Sequence, residues 1–147
     1  MIDRPTAAEL LAAVRQFLEG EVVPALADAR LRYQALVAAN VLAIVERELP
    51  AEEEQLLWEW EWLAEMEGVT GPAPPRLAAL RQAVADLNFQ LCERIRQGEF
   101  DDSPRFQALA SQLRRTVERK LEIANPRYLA AVRAERAQRE HPSADST

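Results

Sequence analysis

The sequence has few of the residues that build catalytic and metal sites. Its 147 residues include one cysteine, Cys92, one histidine, His141, and four glycines. One cysteine cannot close an intramolecular disulfide, and a single histidine leaves no cysteine and histidine spacing for a zinc site. A histidine-dependent nucleophilic triad is also excluded if His141 lies in a disordered tail, as its position near the C-terminus suggests. We therefore expect no enzyme, no metal and no cofactor.

Long apolar runs and glycine-rich loops are missing as well. The longest uncharged stretch, residues 33–45, is far shorter than the roughly 20 residues that span a bilayer. The first residues also lack the continuous apolar core of a signal peptide. The glycines are too dispersed for a phosphate-binding loop. These absences predict a cytoplasmic protein with no membrane segment.

The remaining composition is that of one globular domain. Hydrophobic residues make up 48% and charged residues 29% of the chain, which allows one sizeable core. We expect a single helical domain at residues 1–140, with a proline- and glycine-rich linker at residues 69–75 between two helical halves. Residues 141–147 are predicted to be a disordered tail.

Charge is distributed unevenly along the chain. Residues 1–75 carry 5 basic and 14 acidic side chains, whereas residues 105–140 carry 9 basic and 4 acidic ones. The simplest interpretation is that acidic and basic helices pack side by side. A nucleic-acid partner is not expected, because the pI of about 4.9 is far below that of typical nucleic-acid-binding domains.

The apolar spacing predicts an all-α fold, a compact bundle of five to six helices with a long central second helix. Proline, glycine and capping residues suggest the helix boundaries. The predicted helices cover Thr6–Glu19, Pro24–Leu49, Pro50–Met66, Leu77–Ile95, Pro104–Leu121 and a sixth helix from Pro126 to about Arg133. Cys92 adjoins the apolar face of the fourth of these helices and is predicted to be a buried, inert thiol.

Three tryptophans lie within five positions of the third predicted helix. The segment Leu57–Leu63 alternates like a strand, but it follows an acidic helix start and has no partner strand in the chain. In a helix, Trp58 and Trp62 share a face turned away from the core. This face is predicted either to form an interface with another protein or copy, or to cover the proline-rich linker.

Asn40 interrupts an otherwise apolar helix and is predicted to be buried. A buried amide needs partners for its donors and its carbonyl. It could tie this helix to a neighbour, line a pocket, or set the register of an interface. In the pocket interpretation, Asn40 and the arginines Arg4, Arg32 or Arg127 would hold an anion.

A basic cluster lies on the fifth predicted helix, at Arg114, Arg115, Arg119 and Lys120. Without interleaved aromatic side chains it is unlike a nucleic-acid platform. A solvated face, or a contact with the acidic third helix, fits the pattern better.

Two regions resemble a known family. They are Asp3–Leu11 through Val37–Leu49 (VAANVLAIVEREL) and Lys120–Tyr128 (KLEIANPRY). Together they resemble an uncharacterised bacterial all-helical family that is classified only as a domain of unknown function. Its members are often encoded near acyl-CoA dehydrogenases and aminoglycoside-phosphotransferase-like proteins, so the resemblance implies an accessory role beside acyl-CoA metabolism and supplies no catalytic residues.

The sequence thus favours a non-enzymatic accessory or interaction protein. It would form a homodimer or bind a protein partner linked to acyl-CoA metabolism. The alternative is a small-molecule protein, or a cryptic enzyme, that binds acyl-CoA or another anion in a pocket between helices.

Overall fold

The structure, a computed structural model, describes residues 4–140, and this part of the chain contains helices and no strands. The prediction of an all-α fold with one long helix is confirmed, because α3 has 39 residues. The tail predicted at residues 141–147 lies outside the described residues. The elements are α1 (Ala7–Phe17), a π-helical segment (Leu18–Val22), α2 (Val23–Ala25), α3 (Ala29–Glu67), α4 (Leu77–Arg96), α5 (Ser103–Ala124) and α6 (Pro126–Glu140).

The first helix begins at a capping box, as its sequence predicts. The Thr6 hydroxyl accepts a hydrogen bond from the Glu9 backbone N–H, and the Glu9 carboxylate accepts one from the Thr6 N–H at 2.7 Å. The predicted end of the first helix at Glu19 is wrong, since the chain continues through the π-helical segment into α2. A glycine ends a helix by adopting a positive φ, and the glycines that do so are Gly68 after α3 and Gly98 after α4.

The long helix α3 begins after Asp28 rather than at Pro24. The Asp28 carboxylate accepts hydrogen bonds from the backbone N–H groups of Arg30 and Leu31, at 2.8 and 2.9 Å. These are two of the N–H groups that lack a partner inside a helix, so Asp28 acts as the cap. Pro24 lies instead within the three-residue helix α2.

The second and third predicted helices are one continuous helix. Pro50 lies inside α3, although proline removes one backbone hydrogen bond and normally ends or kinks a helix. Side chains on both sides of Pro50 are held in place. Arg47 donates to the Ile123 carbonyl at 2.6 Å, and Gln55 donates to the Arg119 carbonyl at 3.0 Å. These tertiary contacts offset the local cost of the proline.

The chain divides into two compact units. Unit 1 contains the residues up to Ala51 together with Ile123–Asn125, and unit 2 contains Glu52–Glu122 and the residues from Pro126 onward. The division falls within α3, whereas the proline- and glycine-rich segment at residues 69–75 lies inside unit 2. Unit 2 has the larger core, formed by Trp62, Leu63, Ala64, Leu80, Val84, Leu87, Leu91, Phe100 and Leu109.

Within unit 2, the acidic part of α3 pairs with the basic part of α5, as the charge distribution predicts. Lys120 reaches the carboxylate of Glu59 at 3.2 Å, and Arg119 reaches that of Glu54 at the same distance. Glu59 is only 6% exposed and also accepts a hydrogen bond from the Asn88 amide at 3.0 Å. A buried carboxylate needs such partners, because removing a charge from water is costly.

A second ion pair of unit 2 predicts a measurable pH effect. Arg81 donates two hydrogen bonds to Glu52, and these lower the pKa of the Glu52 carboxyl below its ordinary value. A carboxyl group with a lowered pKa stabilises the folded state at pH values above its pKa in the unfolded state. This stabilisation is lost as the pH falls through the pKa in the folded state. We expect Arg81→Gln to raise the pKa of Glu52 toward its ordinary value. A carboxyl-carbon NMR titration would detect this, and an unchanged Glu52 titration would contradict it.

Candidate functional site

Unit 1 leaves most of its large apolar side chains exposed. Among its described residues only Ala39 is fully buried. On α1, Leu10, Val14 and Phe17 are between 51% and 59% exposed although they share one helix face. The complete set of exposed large apolar side chains in the described part of unit 1 is Leu10, Val14, Phe17, Leu31, Tyr33, Leu36, Val37, Val41 and Leu49.

Part of this exposed surface forms a stripe along the first half of α3. We call Tyr33, Leu36, Val37, Asn40 and Val41 the α3 stripe, because their spacings of three and four residues place them on one side of the helix. All five are exposed. The expectation that Asn40 is buried is therefore wrong for the single chain: the buried side of this part of α3 is the one that carries Ala39, and Asn40 lies amid the exposed apolar side chains.

The three arginines predicted to join Asn40 in an anion site occupy separate places. Arg4 is 84% exposed and lies 3.9 Å from Glu9. Arg32 donates two hydrogen bonds to the Leu26 carbonyl, so its guanidinium supports the turn before α3. Arg127 is exposed on α6 and belongs to unit 2. Neither Asn40 nor any of these three arginines lines the groove between α5 and α6 of unit 2. An anion site built from these four residues stays a prediction.

The two tryptophans of the predicted interface differ in exposure. Trp62 is 5% exposed and belongs to the core of unit 2, so the expectation that it faces away from the core is wrong. Trp58 is half-buried, its ring centre lies 6.4 Å from that of Trp62, and the Arg119 guanidinium lies 4.9 Å from the Trp58 ring centre. This cation–π contact lies on the tryptophan that the sequence assigns to an interface.

The Cys92 thiol is exposed on α4, so the expectation of a buried cysteine is wrong. Its neighbour Leu91 is 1% exposed. One residue along a helix turns the side chain by about 100°, and this turn moves the thiol from the core side to the solvent side.

A groove of about 630 Å³ lies between α5 and α6 in unit 2. We call it the α5–α6 groove. Sequence analysis missed it, because the apolar residues of both helices are spaced as for an ordinary core. Its apolar lining consists of Leu113, Val117, Leu121, Tyr128, Leu129 and Val132, and its charged lining of Arg114, Glu118, Arg133, Glu135, Arg136 and Arg139.

The described residues contain no recognisable catalytic or metal centre. Within residues 4–140, no three histidine, cysteine, aspartate or glutamate side chains are grouped so that they could hold a metal ion. Within the same range, every helix is too short or too polar to cross a membrane. The features that remain are two surfaces: the exposed apolar surface of unit 1 and the α5–α6 groove of unit 2.

Comparison with known proteins identifies a family. No curated protein and no solved structure is significantly similar to the chain. One family model matches residues 24–128, which include all of α3, α4 and α5 and the beginning of α6. The match covers well over half of the chain and confirms the resemblance to a family of unknown function, so the chain belongs to the family described as Domain of unknown function (DUF6285).

Proposed function

We propose that this protein is a non-enzymatic interaction protein that forms a homodimer through the apolar surface of unit 1. One observation carries the proposal. Unit 1 exposes nine large apolar side chains, while Ala39 is its one fully buried residue among those described. Four of the nine, Tyr33, Leu36, Val37 and Val41, lie together on the α3 stripe, and contiguous apolar patches on soluble proteins typically mark interaction sites.

The α3 stripe supplies the centre of the proposed interface. Its four apolar members, Tyr33, Leu36, Val37 and Val41, are between 45% and 68% exposed. Leu31 and Leu49 lie on the opposite side of this helix, about 160° around it from Tyr33, so they belong to no common patch with the stripe. One partner in a standard-size interface contributes roughly 800 Å², so the stripe would form the apolar centre of the interface and neighbouring polar residues would form its rim.

The chemistry of the α3 stripe favours a second copy over a different protein. In a twofold-symmetric dimer, residues near the axis meet their own copies, so any charge there meets a like charge. Residues 33–45 carry no charge. Asn40, at the centre of the stripe, has both a donor and an acceptor on its amide. Two copies of Asn40 can thus satisfy each other, as asparagines do at polar positions of coiled-coil dimers.

Replacing one stripe residue with a charged one tests the proposal. Val37→Glu would bury one unpaired carboxylate per copy, and we expect the dimer dissociation constant to rise at least tenfold, or by about 1.4 kcal/mol or more. Size exclusion with light scattering across a dilution series measures this. Phe89→Glu is the matched control, because Phe89 is 66% exposed on α4 in unit 2.

The outcomes separate clearly. A wild-type dimer that Val37→Glu weakens and Phe89→Glu leaves intact supports self-association through unit 1. A monomeric wild type at all concentrations contradicts it, and a dimer that only Phe89→Glu weakens assigns the interface to unit 2. A cytoplasmic location and a protein partner linked to acyl-CoA metabolism stay predictions from the sequence and the family resemblance.

A further inference from the structure

The ion pairs of unit 2 show how the two helices of the α5–α6 groove run. Arg133 lies 3.0 Å from Glu122, and Arg136 lies 3.8 Å from Glu118. A later residue of α6 thus pairs with an earlier residue of α5, which means that the helices are antiparallel. Continuing this register by one helical turn places Arg114 of α5 at the level of the end of α6.

The lining of the groove changes from apolar to basic along its length. Near the connection between the two helices it contains Leu121, Tyr128 and Leu129, and Leu129 is 3% exposed. At the other end it contains Arg114 and Arg139. The groove is therefore amphipathic, with an apolar end and a cationic end.

The cationic end has an excess of positive charge. Arg114 and Arg139 form no ion pair or hydrogen bond with another described residue. Arg136 also lines this end, and its Glu118 partner is shared with Arg133. Glu135 is the acidic lining side chain at this end. The whole lining has four guanidinium groups and two carboxylates, Glu118 and Glu135. This excess of positive charge, together with the lack of a described partner for Arg114 and Arg139, makes the cationic end attractive to an anion.

We propose that the α5–α6 groove binds a small amphipathic anion, with its apolar tail at Leu121 and Leu129 and its anionic head between Arg114 and Arg139. The helical rise gives about 10 Å between Arg114 and Leu121, which a medium-length alkyl chain spans. The volume of about 630 Å³ lies within the roughly 300–1,000 Å³ of small-molecule sites. The lining of the groove lies in unit 2, whereas the residues of the proposed dimer surface lie in unit 1.

Octanoate is a suitable probe, because it joins an alkyl chain of about this length to one carboxylate. We expect saturable binding of octanoate by isothermal titration calorimetry at low ionic strength. The neutral analogue 1-octanol should bind at least tenfold more weakly, because it leaves the arginines without a counter-charge. Acetate, which has the carboxylate without the tail, should show no saturable binding.

Substitutions at the cationic end should change the affinity in both directions. The double variant Arg114→Gln/Arg139→Gln is expected to weaken octanoate binding at least tenfold. Glu135→Gln is expected to strengthen it severalfold, because it removes the opposing charge. The matched control is Arg115→Gln/Arg127→Gln, which removes two exposed arginines from the same helices but outside the groove lining. This control should change binding less than twofold.

The two tyrosines of the chain report on the two surfaces separately. Tyr128 lines the groove and Tyr33 lies in the α3 stripe, so fluorotyrosine incorporation gives one fluorine NMR signal for each. We expect octanoate to shift the Tyr128 signal alone and dilution of the protein to shift the Tyr33 signal alone.

Three results would overturn the groove proposal: no octanoate binding, equal affinity of the two arginine double variants, or a shift confined to Tyr33. The last result would assign octanoate to the unit 1 surface. An acidic peptide that binds the groove where octanoate does not would also overturn it, in favour of a protein partner. None of these results bears on the dilution experiment, so the failure of either proposal is recognisable by itself.

Discussion

Replacing Leu63 with alanine is expected to lower the free energy of unfolding of unit 2 by about 3–5 kcal/mol. Leu63 is 0% exposed and lies in the core cluster with Leu80 and Leu91. The substitution removes three buried carbon atoms and leaves a cavity, because the surrounding helices relax only partly. A loss of this size is a large fraction of the stability of a small domain.

Urea titration monitored by tryptophan fluorescence measures this loss. All three tryptophans, at positions 58, 60 and 62, lie in unit 2, so their emission reports on the unfolding of that unit. Leu113→Ala is the matched control, since it is the same substitution at a site that is 39% exposed. Leu113→Ala should lower the free energy of unfolding by less than about 2 kcal/mol. Equal losses for the two variants would contradict the assignment of Leu63 to the centre of the core.

The elements that could be predicted from the sequence are those that local chemistry determines. The capping box at Thr6 and the apolar spacing of α4 each specify a structure within one helix. The buried residues of α4 are Leu80, Val84, Leu87 and Leu91, and their spacing of three or four residues is the helical spacing that predicts this helix. The tryptophan segment is likewise helical as predicted, because the neighbouring residues favour a helix over a lone strand.

The sequence-based predictions are wrong where tertiary contacts determine the end of a helix or the burial of a side chain. Pro50 carries a local signal for a helix end, yet the side-chain contacts of Arg47 and Gln55 keep α3 continuous. Helical periodicity also identifies an apolar face without showing whether anything covers it. This is why the sequence predicts burial for Asn40 and Cys92, while the structure exposes both.

The α5–α6 groove shows a related limit of sequence reasoning. The sequence correctly predicts that a sixth helix begins at Pro126. The groove depends on how the antiparallel helices α5 and α6 align, and the ion pairs of Arg133 and Arg136 show this alignment. Because those pairs join residues 11 to 18 positions apart, the spacing within either helix contains no signal for them.

Asn40→Asp is expected to make self-association strongly dependent on pH. If two copies of Asn40 meet at the dimer axis, the variant places two carboxylates in contact at neutral pH. Two like charges about 4 Å apart repel by about 4 kcal/mol at an effective dielectric constant of roughly 20. This corresponds to an increase of several hundredfold or more in the dimer dissociation constant, a larger effect than Val37→Glu should have.

Lowering the pH should restore the dimer of this variant. An unperturbed aspartate titrates near pH 3.9, and a facing carboxylate raises the pKa in the dimer because it disfavours the charged form. When association raises the pKa of a group, protonation of that group stabilises the dimer at low pH. This stabilisation is lost as the pH increases through the raised pKa. The protonated carboxyl also resembles the amide in shape and has both a donor and an acceptor.

Sedimentation or light scattering between about pH 4 and pH 7, with circular dichroism to verify folding, tests this prediction. Gln90→Glu is the matched control, because it makes the same amide-to-carboxylate change at an exposed position of α4 in unit 2. It should associate like the wild type at every pH. An Asn40→Asp dimer as strong as the wild type at pH 7 would place Asn40 away from the axis. A variant that stays monomeric at pH 4 would show that charge repulsion is not the cause, whereas recovery at low pH would identify Asn40 as a residue that meets its own copy.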